Sequence, residues 1–413
     1  GPVCRWRVIP LQLWWKERAC RDKMPHGICR MMTPAADILI DAPRMLAPEA
    51  GFQDNIQLAI RDGQIVALGS QLQISADHHI QLPHDTVLLP GLIDIHAHPA
   101  RSGSIYGVDP DQQMLPFGVT SVLSQGDAGS RTIDTFVKET IRASQTRVKL
   151  AINISSVGES TAEGCLSDPS WFDPDACLAA IERHQEDVTA VAVNASRAAC
   201  GDQDPRPILT AAIEVARAAG LPLLYGMRPD QERSFQDQLE KLRPGDLVTY
   251  TFRRTPHCIL TSKGALHPAV VAARQRGILF DVGHGCASFD FDVARRAIDQ
   301  GFLPDTISTD LQQGHLAHPT AHTLPRVMAK LQAAGMELEA IMRAVTGRPA
   351  QYLADPHVPG SLKVGSPADL CALRWATEPA PLTDTSGTTI EGRVPTALLV
   401  VCRGKVHGPG LAG

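Results

Sequence analysis

GLIDIHAH, residues 91–98, begins as a buried parallel strand and departs from that pattern at its end. A strand buried on both faces wants valine, isoleucine and leucine. This one closes on His96-Ala97-His98. With a side-chain period of two, both imidazoles point to the same side of the strand. Two neutral imidazoles on one rigid element make half of a site for zinc or a similar divalent metal. The alternative is a pair of hydrogen-bonded histidines with no function.

Seven more apolar segments follow: GVTSVLSQ (118–125), KLAINISS (149–156), TAVAVNAS (189–196), LPLLYGM (221–227), DLVTYTF (246–252), ILFDVGHG (278–285) and TISTDL (306–311). Amphipathic helices lie between them, among them PRPILTAAIEVARAAG (205–220) and HPAVVAARQRG (267–277), each ending at glycine. Strands alternating with helices predict a helix-covered parallel sheet. Eight repeats fit a closed (β/α)8 TIM barrel, whose active site lies at the strand C-terminal ends. Strand eight would then adjoin strand one, bringing Asp310 within reach of a metal held by His96 and His98. Such a carboxylate can ligate the ion and take a proton from water. The alternative for Asp310 is a cap on the next loop. His284, ending strand seven, also points at this mouth, as a substrate contact or support, or as a core histidine.

The chain ends read differently. ADILIDAPRM (36–45), NIQLAIRDGQIVALG (55–69) with a turn at Asp62-Gly63, and HHIQLPHDTVLLPG (78–91) read as short strands, as do GSPADLCALRW (365–375) and ALLVVCRGKVHG (397–408). The expected plan is a barrel over 90–357 and a small β-sandwich formed by both ends, 34–89 and 358–413. Residues 1–33 read as a disordered leader: Gly1-Pro2 resembles a cleaved-tag scar, and Met24, Met31 or Met32 would serve as a natural start.

A net charge of −5 without a basic run argues against a nucleic-acid binder. No apolar run reaches the length of a membrane span. Ten scattered cysteines with no C-x-x-C pair read as free thiols of a reducing compartment, so a cytoplasmic location is expected. The expected partner is a small-molecule substrate, with a homo-oligomer left open.

VLLPGLIDIHAHP (87–99) resembles the strand-one signature of the amidohydrolase superfamily. YGVDPDQQMLPFGVTSVL (106–123), KLRPGDLVT (241–249), GILFDVGHGCASFDFDVARRAIDQGFLPDTISTDL (277–311), AVTGRPAQYL (344–353) and GSLKVGSPADL (360–370) resemble its deacetylase or dihydroorotase-like subgroup. The resemblance spans about residues 36–405 and implies a barrel with a sandwich of both chain ends. It also implies two metals bridged by a carboxylated strand-four lysine, with strand-five and strand-six histidines on the second ion. Here the lysine position falls at Ala192. Gly226 or Tyr225 stands for the first histidine and Tyr250 for the second, while Lys149 begins strand three at the wrong end of the barrel.

The first-metal trio remains, so one divalent ion on His96, His98 and Asp310 is expected, with zinc the default and manganese, iron or cobalt open. Cys200, Cys258 or His257 is the reserve for a fourth ligand. The expected chemistry is hydrolysis of an amide, cyclic amide or ester, with Asp310 as general base. Tyr250 would hold a carbonyl or oxyanion, or pack into the vacated metal pocket. Tyr225 and His284 are further substrate-side candidates, and Arg197, Arg253 or Arg254 would grip a carboxylate or remain solvated. A lyase, decarboxylase or isomerase on the same barrel, or a catalytically silent relative, is the alternative.

Overall fold

The computed structural model describes residues 36–47, 50–227, 233–255, 257–318 and 322–407. The segment expected to be a leader, including Met24, Met31 and Met32, and with it Cys4, Cys20 and Cys29, lies outside the described residues.

Both chain ends contribute to one sheet. Strands β1 (Ala36–Ala47), β2 (Gly51–Arg61) and β3 (Gln64–Gly69) run antiparallel, and β4 (Ala76–Gln81) and β5 (Thr86–Pro90) both pair parallel with β1. The β2–β3 turn falls at Asp62-Gly63, both with positive φ, as a two-residue hairpin of this twist requires. Thr86–Pro90 then runs straight into the barrel through Gly91.

The barrel strands are β6 (Leu92–Ala97), β7 (Val119–Gln125), β8 (Arg147–Asn153), β9 (Val188–Val193), β10 (Leu223–Gly226), β11 (Leu247–Thr249) and β12 (Leu279–Phe280), paired in sequence order and all parallel. The eighth segment forms no continuous strand. It is held by a parallel bridge, Asp281 to Thr306, and by bonds from the His284 and Gly285 N–H groups to the Ser308 and Thr309 carbonyls. On its other side the Asp310 N–H donates to the His96 carbonyl and the His98 N–H to the Leu311 carbonyl, closing the ring. Ile93, Ile95, Leu123, Ala151, Ala190, Ala192, Leu224 and Leu247 form a buried cluster separate from the helix-facing core. Burying each larger aliphatic chain contributes roughly 1.5–3 kcal/mol.

After the barrel, β13 (Leu370–Trp375) pairs antiparallel with β5 and so joins the two chain ends. A hairpin, β14 (Ala380–Thr383) and β15 (Thr389–Gly392), stays outside this sheet and packs on the helix Leu324–Ala333. Strands β16 (Pro395–Cys402) and β17 (Lys405–His407) complete the large sheet in the order β17-β16-β13-β5-β1-β2-β3, with β4 also on β1. The β domain expected from both chain ends is thus built from one hydrogen-bonded sheet. The twelve-residue β1 makes this possible, pairing β4 over Ala36–Asp41 and β5 at Met45. Alternate residues, among them Ile38, Ile40, Leu58, Ile60, Leu88, Leu370 and Leu399, fill its core. Arg147 on β8 is ion-paired with Asp369 just before β13, tying barrel to sheet.

Candidate metal centre

Strand β6 changes phase between Asp94 and Ala97, the interval that holds His96. Asp94 pairs with Val122 and Ala97 with Ser124, so β6 carries one residue more than β7 across this interval. Such a bulge re-aims the side chains that follow it. Asp94 anchors the distorted strand, accepting from the Thr309 hydroxyl at 2.6 Å and the Thr309 N–H at 3.2 Å. Burial pushes its carboxyl up to about 7 although Thr309 opposes the shift.

Nε2 of His96 and Nε2 of His98 each lie 3.4 Å from Oδ1 of Asp310. Bonds of about 2.0–2.1 Å to one tetrahedral ion require donor–donor edges of roughly this length. All three side chains are buried, and their ligand atoms lie within 4.8 Å of one another. His96 Nε2 and Asp310 Oδ1 make no hydrogen bond. Leaving such buried polar atoms unsatisfied is costly. A shared cation accounts for both, so the residues fit a divalent metal.

The other ring nitrogens are engaged. His96 Nδ1 lies 2.7 Å from Thr249 Oγ1, and Thr249 donates to Asp281 at 2.8 Å. His98 Nδ1 lies 2.9 Å from Asp127, which also accepts from the Ser104 and Ser124 hydroxyls. Carboxylates behind the imidazoles keep Nε2 turned toward the ion and raise its basicity. Burial by itself would lower both imidazoles. Asp281 and Asp310 outweigh it and raise His96 to about 9, while Asp127 and Asp310 raise His98 to about 10. Burial would raise Asp310, but the facing His96 and His98 imidazoles hold it far below the carboxylate range. The three carboxylates thus favour positive charge at the imidazoles, carried by protons or, in their place, by a metal.

Two glycines of the strand-seven motif allow the approach. A Cβ on Gly283 would lie 2.0 Å from Thr249 Oγ1, and one on Gly285 2.6 Å from Asp310 Oδ2; both residues have positive φ. Asp281, Asp127 and Thr249 were missed in the sequence. A buried aspartate at the start of DVGHG was the available signal for the first; Asp127 and Thr249 carried none, since their roles depend on distant pairing.

The remaining candidates separate by position. Tyr250, buried with φ +71, sets its ring edge against His96 at 5.2 Å. The Arg253 guanidinium lies 4.7 Å above the Tyr250 ring and reaches Ser288 Oγ at 3.4 Å. Arg254 is instead engaged by Asp290 at 2.6 Å. His284 is a core histidine: Nδ1 donates to the Gly285 carbonyl at 2.8 Å and Nε2 accepts from Lys330 at 2.9 Å. Tyr225 does not reach the mouth; it packs in the helix-facing core and its hydroxyl donates to Gln238 at 2.7 Å. Its neighbours Leu224 and Gly226 take the opposite face, where the Asn194 carboxamide fills the space a Gly226 Cβ would need. Ala192 lies in the inner cluster and Lys149 is paired with Asp355. Arg197 is exposed in the short helix Arg197–Cys200. Cys200, Cys258 and His257 do not join the trio among the described residues. Cys286, His315 and His322, which no sequence motif marked, make a second grouping nearby.

No family model matches the chain. A deacetylase of Agrobacterium fabrum is 30% identical over 328 residues, covering 79% of this chain and 80% of that protein. A crystal structure of an adenine deaminase superposes with a TM-score of 0.83 at 26% identity, covering 90% of this chain and 99% of that one. A crystal structure of a dihydroorotase gives 0.81 at 27% identity over the same shares. No helix among the described residues is long and apolar enough to cross a membrane.

Proposed function

The chain belongs to the amidohydrolase superfamily, among its deacetylase and dihydroorotase-like members, and from that membership we propose that it hydrolyses an acyl-amide, cyclic amide or acyl ester of a small molecule at a single-metal catalytic site. It is a metal-dependent hydrolase acting on C–N or related bonds. The convergence of His96 Nε2, His98 Nε2 and Asp310 Oδ1 carries the reading. The single-metal assignment rests on the positions where the resembled family carries a lysine and two histidines, held here by Ala192, Gly226 and Tyr250, with Asn194 occupying the room beside Gly226.

Zinc is the default for such a donor set, and a bound ion supplies Lewis acidity, polarising a carbonyl and lowering the pKa of water toward about 7. The chain's own groups do the rest. Asp310 presents Oδ1 to the histidines, and Gly285 leaves the space beside Oδ2 without a side chain. From there the carboxylate takes a proton from the attacking water and returns it to the leaving nitrogen or oxygen. The Tyr250 hydroxyl is the candidate donor to the developing oxyanion, its ring held between His96 and Arg253. The net charge of −5 supports a small-molecule substrate over nucleic acid.

The test is turnover of N-acyl amino acids, cyclic amides and acyl esters in 18O water. Label entering the released carboxylate supports hydrolysis. Product formed without label would instead establish lyase or isomerase chemistry, the reading left open by the missing second-metal ligands. No turnover of any class by metal-loaded protein would favour a silent relative.

A further inference from the structure

Cys286, His315 and His322 come from three separate stretches and meet beside the first site. Cys286 follows the end of strand seven, His315 closes the short turn Gln313–His315, and His322 precedes the helix Leu324–Ala333. Their ligand-capable atoms all lie within 4.8 Å of one another; among the described residues only the His96 trio does likewise. His322 is buried, and the other two are half-buried. His322 Nε2 and His315 Nδ1 are 3.1 Å apart, with their rings edge-on at 5.0 Å. The His322 ring also stacks on His284 at 5.1 Å, and His284 stacks on Phe289 at 4.8 Å. Packing therefore fixes the orientation of the buried imidazole before any ion arrives. His98 and Asp310 are both electrostatic neighbours of His315, which places this grouping beside the first.

We propose that Cys286, His315 and His322 form a second, separate zinc site with one thiolate and two imidazole ligands. The donor set decides the metal class: sulfur with imidazole selects a borderline-soft ion such as zinc over magnesium, calcium or manganese. Three protein ligands leave a fourth position for water or a substrate group. The 3.1 Å nitrogen separation approaches the roughly 3.4 Å edge of a tetrahedral zinc site. The site is distinct from the bridged second position, which Ala192, Gly226 and Tyr250 would have to supply. It is built instead by segments after strands seven and eight.

Cobalt(II), added to metal-stripped full-length protein in reducing buffer, is the probe. Two equivalents should bind per chain, one of them giving thiolate-to-cobalt charge-transfer absorption. Cys286→Ser should lose that absorption and one equivalent. His96→Asn should lose one equivalent and keep the absorption. A saturated wild-type protein with no thiolate band, or a band that survives Cys286→Ser, overturns the proposal. If circular dichroism shows Cys286→Ser misfolded, His322→Asn takes its place: at least tenfold weaker binding of the thiolate-coupled ion supports the site, and unchanged binding overturns it. Catalytic turnover is read separately, so this proposal and the hydrolase reading fail independently.

Discussion

The Asp310 backbone N–H donates to the His96 carbonyl at 2.7 Å, and 3.4 Å separates Oδ1 of the same aspartate from Nε2 of the same histidine. One residue pair therefore closes the barrel and sets an edge of the candidate metal site. Segment eight needs no regular strand for this, because its polar backbone is paired on both sides. Ligand geometry inherits the precision of ring closure.

That coupling makes Asp310→Asn an informative change. Asp310 has φ +52, a conformation asparagine tolerates better than most residues. The backbone bond to His96 survives, so circular dichroism and the thermal transition should stay near wild type. Loss of the proton acceptor should lower kcat by about a hundred- to ten-thousand-fold. Retained turnover would place the general base elsewhere.

Asp127→Asn tests the support behind His98. An amide in place of the carboxylate loses the charge that raises the imidazole and leaves the ring orientation less fixed. Metal affinity, read by competition with a chromophoric chelator, should fall about 10- to 100-fold. Because Asp127 also accepts from Ser104 and Ser124, Asp127→Ala should additionally reduce stability. Equal metal affinity in both variants and wild type would remove Asp127 from the site.

The barrel and the metal trio were legible in the sequence for one reason: H-x-H and the TISTD aspartate break apolar strands where a buried polar group needs a partner. The outer residues were less so. Tyr225 was a substrate-side candidate because it or Gly226 stands where the resembled family has a strand-five histidine, but parity turns it to Gln238 and leaves Gly226 inward. For His284 the choice between a substrate contact and a core histidine had no local signal, because its partner Lys330 lies forty-six residues away on a helix whose apolar pattern hides it. The bulge between Asp94 and Ala97 had no local signal either, since it exists only in the register between β6 and β7.

Lys330 carries the clearest pH dependence. Burial, aided by Arg326, lowers its ammonium from 10.5 to about 7. Above pH 7 the folded protein has released this proton while the unfolded chain holds it to about 10.5, so unfolding takes up a proton and stability rises with pH across that window. Below pH 7 both states are charged and the group adds no slope. Urea melts should show this rise, of up to about 5 kcal/mol, in the wild type and a flatter profile in Lys330→Met. An identical slope in the two proteins would mean Lys330 stays charged when folded.

Tyr250 separates catalysis from packing. Its ring is fixed by the His96 edge contact and by Arg253 above it, and phenylalanine keeps both. Tyr250→Phe thus removes only the hydroxyl, and the backbone at φ +71 is no worse for the new residue. If the hydroxyl holds the oxyanion, kcat falls about 10- to 1,000-fold with KM little changed, because the interaction is made in the transition state. If the ring merely fills the former ligand position, kcat stays constant in Tyr250→Phe. Tyr250→Ala would then lose stability by about 3–5 kcal/mol from the cavity alone. The split between kcat and the melting transition in these two variants assigns the residue.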